Sequence, residues 1–295
     1  MGEARLRILV LGGTGMLGSL LWSRLDQVPA FRVRRTQRRD PQAPGYLDLP
    51  ASDAALDAIF AEQSGTDLVV NAIGLTQAAI ASAGTRGADA AEAINARLPH
   101  RLAAAAGRAG ARLIHVSTDG VFSGRAGPYS ERDLPDPEDL YGQSKLSGEV
   151  GGRGVLTLRC SIIGPDPERH RGLLEWFRQL APGTQVEGFV DQLWNGVTTD
   201  QLAEVCRALA APEAFDRINA ASALRHLCPN SPVTKCELLR LFRAELGSDV
   251  TVVPAESTAP RNRTLTSEWT DLNALLGAPV EMRQAVRDMV SRLSS

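Results

Sequence analysis

A phenol and an amine lie four residues apart in the segment Tyr141-Gly-Gln-Ser-Lys145. Residues at this spacing share one face of an α-helix, so the phenol of Tyr141 and the ammonium of Lys145 would project side by side. A nearby cation favours the phenolate and lowers a tyrosine pKa, which brings a weak acid towards proton transfer near neutral pH. The pair therefore predicts a proton-transfer site, although so short a motif also arises by coincidence.

Hydroxyl and carboxyl groups surround this pair within residues 117–149. We expect the apolar run over 112–117 to be a strand, and it leads into Ser117, Thr118 and Asp119. The loop that follows is rich in acids: Glu131, Asp133, Asp136, Glu138 and Asp139. A divalent ion is one use of such a cluster, but the spacing matches no defined cation loop, so we expect a solvated lid and no metal site.

A glycine-rich turn follows the first predicted strand, Leu6–Leu11. The turn runs Gly12-Gly-Thr-Gly15-Met-Leu-Gly18 and leads into a helical pattern. Glycines let the backbone approach an anion, and the amides at a helix start point towards it, so a dinucleotide pyrophosphate fits this arrangement. A tight turn also needs glycine for steric reasons, so the interpretation depends on the flanking strand and helix.

Several arginines accompany the second predicted strand, 31–36. From Phe31 onwards no acid occurs before Asp40, and the basic residues of this segment are Arg32, Arg34, Arg35, Arg38 and Arg39. An NAD-selective site commonly places an acid here for the ribose 2′-hydroxyl, whereas guanidinium groups suit a 2′-phosphate. The segment favours NADP(H) over NAD(H), and the alternative is a solvated basic edge strand.

Strands and helices alternate along the first 165 residues. Further strands are expected over 46–49, 67–74, 112–117 and 155–160, and helices over 52–63, 88–107 and 141–150. This alternation predicts an α/β fold, a doubly wound parallel (Rossmann) sheet. We expect a dinucleotide-binding domain over 1–164 plus about 196–221, where 217–221 returns to the sheet as a strand. A smaller, discontinuous C-terminal α/β substrate lobe would take about 165–195 and 222–295, with a ligand cleft between the two.

Composition excludes several classes of protein. The 295 residues carry 32 basic and 34 acidic side chains, a net charge of −2 that gives no field for nucleic acid or an anionic membrane. The N-terminal apolar run is too short for a signal sequence or a membrane span. The four cysteines have neither CxxC spacing nor a histidine at metal-ligand spacing, which favours reduced thiols. We expect a cytoplasmic protein with no nucleic-acid, membrane or metal partner.

Taken in order, these motifs resemble the extended short-chain dehydrogenases/reductases, in particular the dTDP-4-dehydrorhamnose reductase group. The resemblance rests on GGTGMLG, VVNAIG, Asn95 before Pro99, STDxVF with Gly124, PYSE, the acidic DLPDP loop, YGQSKLSGE, and LR followed by Gly164. It covers residues 6–165 closely, and VTTDQLAEV and PVTKCELLRLF more loosely.

The resemblance implies that Tyr141 protonates the C4 carbonyl oxygen of a keto sugar and that Thr118 hydrogen-bonds the same oxygen. Lys145 would hold the nicotinamide ribose and lower the Tyr141 pKa. The expected cofactor residues are Gly12, Gly15, Met16, Leu17 and Gly18 for the pyrophosphate, Arg38 and Arg39 for the 2′-phosphate, Asn71, Ala72 and Ile73 for the adenosine and nicotinamide halves, and also Thr36, Asp48, Leu49, Asn95, Ser117, Tyr141, Lys145 and Cys160. Asp48 is a candidate partner for the adenine amino group.

The chain departs from the family pattern where the sugar should lie. Gly120 replaces the tyrosine of STDYVF, and the segment 159–163 lacks the tryptophan that commonly follows this turn. The expected substrate residues are Thr118, Asp119, Trp194, Asn195, Arg261 and Arg263, with the two arginines as candidates to clamp a diphosphate. The alternative for the tryptophan is a packing role, and the alternative for the two arginines is a solvated surface position.

The expected function is an NADPH-dependent reductase of a nucleotide-linked 4-keto-6-deoxy hexose in polysaccharide or deoxysugar biosynthesis, with a homodimer as the candidate oligomer. One alternative is an epimerase or dehydratase of the same superfamily with a retained NAD, which the arginines after strand two disfavour. Another is a non-catalytic regulatory or scaffolding subunit, which the intact set of Thr118, Tyr141 and Lys145 disfavours.

Overall fold

The computed structural model describes residues 5–38, 40–62 and 65–293, and the elements below belong to those ranges. The strands are β1 Leu6–Leu11, β2 Phe31–Arg35, β3 Leu68–Asn71, β4 Arg112–Val116, β5 Val155–Arg159, β6 Ile162–Ile163, β7 Gln185–Phe189, β8 Gln192–Trp194, β9 Val197–Thr198, β10 Leu224–His226, β11 Val233–Thr234, β12 Thr251–Ala255 and β13 Arg261–Asn262. The α-helices are α1 Met16–Asp26, α2 Asp53–Ala61, α3 Gln77–Ser82, α4 Gly87–Ala91, α5 Leu98–Ala109, α6 Leu140–Ser147, α7 Leu173–Arg178, α8 Thr199–Leu209, α9 Pro212–Ala221, α10 Lys235–Leu246, α11 Asp271–Ala274 and α12 Met282–Ser291, and a π-helical turn, Glu92–Arg97, joins α4 to α5.

Six strands form a parallel sheet in the order β10-β5-β4-β3-β1-β2. Side chains alternate across a strand, and in β1 Ile8 and Val10 join the core on one face while Leu9 and Leu11 join the core on the other. A strand covered by helices on both faces must be apolar where it is buried, which is why Ile8, Leu9, Val10 and Leu11 are all hydrophobic, whereas the partly exposed Arg7 pairs with Asp67. The predicted doubly wound α/β fold is confirmed.

Two predicted strands are corrected. Residues 46–49 form a single bridge between Tyr46 and Gln37, because Pro44 and Pro50 bracket the segment and cannot donate to a ladder. Residues 217–221 belong to α9, which begins at Pro212 and buries Phe215 and Ile218 at helical spacing. The strand that returns to the main sheet is β10, at residues 224–226.

A separate hydrophobic cluster lies beyond residue 163. It gathers Phe177, Trp194 and Phe242 with residues of α12, alongside the short sheets β11-β8-β13 and β12-β7. Capping boxes at Thr198 and Thr234 fix the starts of α8 and α10. The division into two domains stays a prediction. None of the described helices has the length and apolar composition that crossing a lipid bilayer requires.

Close backbone contacts explain two of the motif glycines. A Cβ at Gly18, in α1, would overlap the carbonyl oxygen of Gly12, so glycine lets the helix start directly beneath the turn. A Cβ at Gly142, in α6, would overlap the carbonyl oxygen of Gly120. Helix α6 is therefore packed against the turn that carries Thr118 and Asp119.

Gly18→Ala should lower the free energy of unfolding by about 1–3 kcal/mol, because the new methyl group overlaps a backbone atom. Gly107→Ala is the matched control, since Gly107 also lies inside a helix but has open space around its Cα. That control should raise stability by about 0.5–1 kcal/mol through helix propensity. Urea denaturation measures both, and equal effects of the two substitutions would contradict the packing described.

Candidate active site

Four neighbouring strands, β5, β4, β3 and β1, end at the same edge of the sheet. Ligands of open α/β sheets bind at this carboxyl edge. The chain places the glycine turn after β1, Asn71 at the end of β3, Ser117 to Asp119 after β4, and Cys160 after β5. The sequence motifs thus converge at one edge, although their individual positions differ in detail.

A cavity of about 110 Å³ lies over the glycine turn. Seven of the predicted cofactor residues line it: Gly12, Gly15, Thr36, Arg38, Leu49, Ala72 and Ile73. Seven others were missed by the sequence reasoning: Thr14, Gln37, Leu47, Gly74, Leu75, Ile94 and Arg169. Most are neighbours of predicted residues, whereas Arg169 comes from the segment between β6 and α7 and no motif pointed to it. The predicted residue Arg39 lies outside the described residues.

The glycine turn has the features that a dinucleotide requires. Gly12 has a φ of +81°, and a Cβ there would lie 3.1 Å from both the Ala72 oxygen and the Ile73 side chain. The Thr36 hydroxyl accepts a hydrogen bond of 2.9 Å from the Gly12 amide and fixes the turn. Helix α1 begins at Met16 with no capping side chain and no acid in its first turn, so its N-terminal amides suit an anion. The residues present fit a pyrophosphate.

The arginines near β2 separate into different roles. Arg34 pairs with Glu62 at 3.1 Å, and Arg35 lies over the Trp22 ring at 4.0 Å, so both act in packing. Arg38 lines the cavity, and its side chain makes no hydrogen bond or ion pair within the described ranges. The sequence signal for a 2′-phosphate therefore rests, among the described arginines, on Arg38.

Tyr141 and Thr118 meet at the start of α6, which Asp139 caps through a 2.7 Å bond from the Gly142 amide. Thr118 Oγ1 donates to Asp119 Oδ1 at 3.2 Å and accepts from the Gly120 amide at 3.0 Å. Burial raises the pKa of Tyr141 to about 12, Asp119 adds to the rise, and the hydrogen bond with Thr118 opposes it. The expected fall in the Tyr141 pKa is therefore wrong, because desolvation of the phenol dominates.

Lys145 lies in the interior, one helical turn beyond Tyr141. Its Nζ donates a 2.7 Å hydrogen bond to the carbonyl oxygen of Val116, at the end of β4. Burial lowers its pKa to about 8, and the carboxylate of Glu149 opposes this. A Cβ at Gly74 would lie 3.9 Å from Nζ, so the amine also borders the loop that lines the cofactor cavity.

A buried ion pair that the sequence reasoning missed supports this helix. Arg159 donates two hydrogen bonds to Glu149, at 2.8 and 2.7 Å, and the side chains are 3% and 11% exposed. Ser117 Oγ donates to the same carboxylate at 2.8 Å. The signal was available in the sequence, since Glu149 follows Tyr141 and Lys145 at four-residue spacing and Arg159 ends a predicted strand.

Several predicted cofactor residues hold the framework without lining the cavity. Asn95 bonds both backbone groups of Leu75 and the hydroxyl of Ser144. Asn71 bonds His115 and the Ile73 amide. Ser117 is engaged by Glu149, and the exposed Asp48 bonds the Leu49 amide. The remaining predicted residues outside the cavity lining are Met16, Leu17, Gly18, Tyr141, Lys145 and Cys160.

Each acid of the 124–139 loop has a structural partner. Asp136 accepts from both the amide and the hydroxyl of Ser123, and Asp133 does the same for Ser130. Glu131 accepts hydrogen bonds from the backbone amides of residues 226 and 268. Glu138 pairs with Arg261, and Asp139 caps α6. Within the described ranges, no group of three or more His, Cys, Asp or Glu side chains has metal-binding geometry.

Some of the predicted substrate residues also hold the framework of the protein. Asn195 bonds both backbone groups of Leu265, and Arg261 bonds the Ser123 oxygen and Glu138 at 2.8 Å each. Trp194 is 3% exposed and packs in the hydrophobic cluster that also contains Phe177 and Phe242. Arg263 has a buried Nε without a hydrogen-bond partner. Asn195 and Arg261 thus serve packing and loop positions.

Comparison with known proteins identifies relatives. A model of the family described as RmlD substrate binding domain matches residues 6–294. The β subunit of methionine adenosyltransferase 2 from Bos taurus is 30% identical over 55% of this chain and 48% of its own length. The Rattus norvegicus form is 32% identical over 79% of this chain and 70% of its own length. The dTDP-4-dehydrorhamnose reductase of Mycobacterium tuberculosis (H37Rv) is 35% identical over 57% of this chain and 56% of its own length. The chain therefore spans about half the length of the bovine and mycobacterial relatives.

Solved structures share the fold. The dTDP-4-dehydrorhamnose reductase of Bacillus anthracis, in complex with NADP, has a TM-score of 0.77 at 18% identity and covers 99% of this chain and 100% of its own. The UDP-glucuronic acid 4-epimerase of Bacillus cereus, in complex with NAD and UDP-4-deoxy-4-fluoro-glucuronic acid, has a TM-score of 0.70 at 17% identity, with coverages of 98% and 100%. Both nicotinamide cofactors thus occur on this fold.

Lys145→Met should stabilise the cofactor-free protein by about 2 kcal/mol at pH 7, because it removes a buried charge at the cost of one hydrogen bond. Below the folded pKa of about 8 both states hold the proton, so the wild type bears the full desolvation cost. Between about 8 and the ordinary value of 10.5 the unfolded state binds more protons, so wild-type stability rises with pH and the advantage of the variant shrinks. Urea denaturation from pH 6.5 to 10 measures this, and a variant less stable than wild type by a constant amount would contradict it.

Proposed function

The chain belongs to the RmlD substrate binding domain family, and from that membership we propose that it is an NADPH-dependent reductase of a nucleotide-linked 4-keto-6-deoxy hexose. One observation carries the proposal. The phenol of Tyr141 is hydrogen bonded to Thr118 at the carboxyl edge of the sheet, the edge that also carries the glycine turn and its cavity. The names of the mycobacterial relative and of the Bacillus anthracis neighbour support the same reaction class.

Tyr141 would act as the proton donor. Its pKa of about 12 keeps the phenol protonated at neutral pH, which suits reduction of a ketone rather than abstraction of a proton from an alcohol. Thr118 donates its own proton to Asp119, so Tyr141 is the donor in the hydrogen bond between the two hydroxyls. A substrate carbonyl oxygen that approached both hydroxyls would receive one hydrogen bond from each. The proton of Tyr141 Oη would then move to that oxygen.

Lys145 would support this step electrostatically. At pH 7 a pKa of about 8 leaves most of the amine charged, and a buried cation one turn from Tyr141 stabilises the phenolate that proton donation leaves behind. Its position between Val116 and the Gly74 loop also suits a hydrogen bond to a nicotinamide ribose. When bound, the nicotinamide supplies the hydride that reaches the carbonyl carbon.

For the cofactor, Arg38 would bind the 2′-phosphate of NADP(H), because its guanidinium lines the cavity without an ion-pair partner among the described residues. Arg169 lines the same cavity as Gly12 and Gly15 and would contact the pyrophosphate. Thr36, Leu49, Ala72 and Ile73 would enclose the adenosine half. Polysaccharide or deoxysugar assembly is the proposed setting, and the homodimer stays a prediction.

A regulatory subunit is the second candidate, because the β subunits of methionine adenosyltransferase 2 are among the relatives. A subunit of that kind would be expected to bind a partner protein without turning over a sugar. The complete hydroxyl and amine set, Thr118, Tyr141 and Lys145, favours the reductase. An epimerase with retained NAD is disfavoured by Arg38, which lines the cavity and has no ion-pair partner within the described ranges, and NAD that remained bound through purification would favour it.

Tyr141→Phe should lower turnover with a nucleotide-linked 4-keto-6-deoxy hexose by at least about 100-fold, because the ring remains and the proton donor is lost. NADPH affinity should stay within about twofold, since the phenol does not line the cofactor cavity. Steady-state oxidation of NADPH at 340 nm and a fluorescence titration measure the two. Near wild-type turnover in this variant would show that another group donates the proton.

Arg38→Met should weaken NADPH binding by about tenfold or more and leave NADH almost unchanged, because the lost charged hydrogen bond serves only the 2′-phosphate. Arg169→Met should weaken both cofactors to a similar degree, because both carry the pyrophosphate. Fluorescence titrations of each variant with each cofactor measure this. An equal loss for NADPH and NADH in Arg38→Met would contradict the assignment of that residue.

A further inference from the structure

The segment 166–172, which lies between β6 and α7, forms part of the wall of the cofactor cavity. Arg169 lines that cavity together with Gly12 of the glycine turn. Near the end of the segment, a Cβ at Gly172 would lie 3.9 Å from the sulfur of Met16, the first residue of α1. The segment therefore borders both the cavity and the helix that follows the glycine turn.

The cavity is too small for the ligand that the glycine turn suits. Its volume is about 110 Å³, whereas pockets for drug-sized ligands enclose about 300–1,000 Å³. Neither Tyr141 nor Lys145 lines it, although a dinucleotide that delivers a hydride to a carbonyl beside Tyr141 has to reach that region. Part of the wall must therefore move before a nicotinamide dinucleotide can bind.

The wall on the side of the central sheet is held firmly. The Gly12 amide donates a hydrogen bond of 2.9 Å to the Thr36 hydroxyl, and the Ile73 amide donates one of 3.1 Å to the Asn71 side chain. These bonds fix the turns that follow β1 and β3, and both strands are hydrogen bonded to neighbours on each side. The movement therefore falls to the part of the wall that does not belong to the sheet.

Residues 167–172 have the features of a movable segment. All of them are exposed, and the Arg169 side chain makes no hydrogen bond or ion pair within the described ranges. The His170 amide donates to the Asp166 carbonyl at 2.8 Å, and the Arg169 amide donates to the Asp166 carboxylate at 3.3 Å. A contact from outside comes from the Gln179 side chain, which donates to the His170 oxygen at 3.1 Å. Exposed segments held mainly by local bonds open at a low free-energy cost.

The segment has fixed ends and a strained backbone between them. Asp166 and Glu175 are buried, and the Asp166 amide donates to the Glu175 carboxylate at 3.1 Å. Arg178 pairs with the same carboxylate at 3.0 Å. His170 has a φ of +51° and Gly172 a φ of +95°, in the left-handed region that residues other than glycine rarely adopt. A change at these two positions would move the segment while its ends stay in place.

We propose that residues 167–172 are a clasp that opens to admit the dinucleotide and closes on it through Arg169, with His170 and Gly172 as its hinge. The proposal rests on the proposed function for the ligand being a nicotinamide dinucleotide. It adds that the clasp controls how fast the cofactor leaves, because release requires the segment to open again. With Arg169 in the cavity wall, the left-handed backbone at the hinge belongs to the closed form.

The test is stopped-flow binding of NADPH to the full chain, followed by energy transfer from tryptophan to the nicotinamide. Opening of a clasp before binding makes the observed rate level off as the NADPH concentration rises, whereas direct binding gives a rate that rises linearly. Gly172→Ala disfavours the closed form and should speed dissociation by about tenfold, the cost of a left-handed backbone for alanine. Gly183→Ala is the matched control, because Gly183 has a φ of +78° and open space around it, and it should leave dissociation unchanged.

His170→Gly changes the hinge in the opposite direction. Glycine adopts the left-handed backbone readily, so this variant should slow dissociation by about threefold. It also keeps the test available if Gly172→Ala does not fold.

Limited trypsin digestion follows the open form directly, because proteolysis tracks its population. Trypsin should cleave after the exposed Arg169 and Arg171. Saturating NADP⁺ should slow these cuts by at least about tenfold relative to the cut after Arg153, which is exposed next to the amino end of β5, at the opposite edge of the sheet.

A linear concentration dependence, together with equal dissociation rates for Gly172→Ala and Gly183→Ala, would overturn the clasp and leave the proposed reductase standing. Equal protection of Arg153 and Arg169 by NADP⁺ would overturn it as well. Clasp-limited binding in a protein that reduces no keto sugar would uphold the clasp and count against the proposed function alone. A chain that binds neither NADPH nor NADH would overturn both.

Discussion

The hydrogen bond from the Lys145 ammonium to the Val116 carbonyl is the contact on which the site depends. It ties α6 to the end of β4, and β4 is the strand that delivers Thr118 and Asp119. The amine is charged in a place that disfavours charge, as its pKa of about 8 indicates. Such a residue persists only where the surrounding packing holds it in place.

Three sets of contacts hold α6 in position. Gly142 allows the helix to approach the Gly120 carbonyl, and the side-chain amide of Asn95 donates a hydrogen bond to the Ser144 hydroxyl. The Glu149 carboxylate accepts hydrogen bonds from Arg159 and Ser117. The Glu149 carboxylate also opposes the fall in the Lys145 pKa, so the ion pair acts on the charge of the site as well as on its shape. A buried ion pair adds little net stability, but removing either partner leaves an unpaired charge beside Lys145.

The sequence predicts the sheet and its edge well because both follow from local rules. Apolar runs such as 8–11 are buried on two faces, and the glycine turn is required by backbone contacts. The prediction of a strand at 46–49 was wrong because the flanking prolines have no backbone N–H to donate. The predicted direction of the Tyr141 pKa shift was wrong because desolvation depends on packing, which residue spacing does not reveal. Arg169 belongs to no motif, since the chain brings it to the cavity from a distant segment. Arg261 matched the expected chemistry but is engaged by Glu138, a partner 123 positions away in the sequence.

The central claim is that the edge bearing Thr118, Tyr141 and Lys145 reduces a sugar ketone with a nicotinamide cofactor. The most direct measurement is NMR of the product formed from a dTDP-, UDP- or GDP-linked 4-keto-6-deoxy hexose with NADPH deuterated at the transferable position of C4. One deuterium should appear on C4 of the hexose for each cofactor molecule oxidised. A hexose that acquires no deuterium at C4, or a cofactor that is not consumed with any of the three substrates, would contradict it.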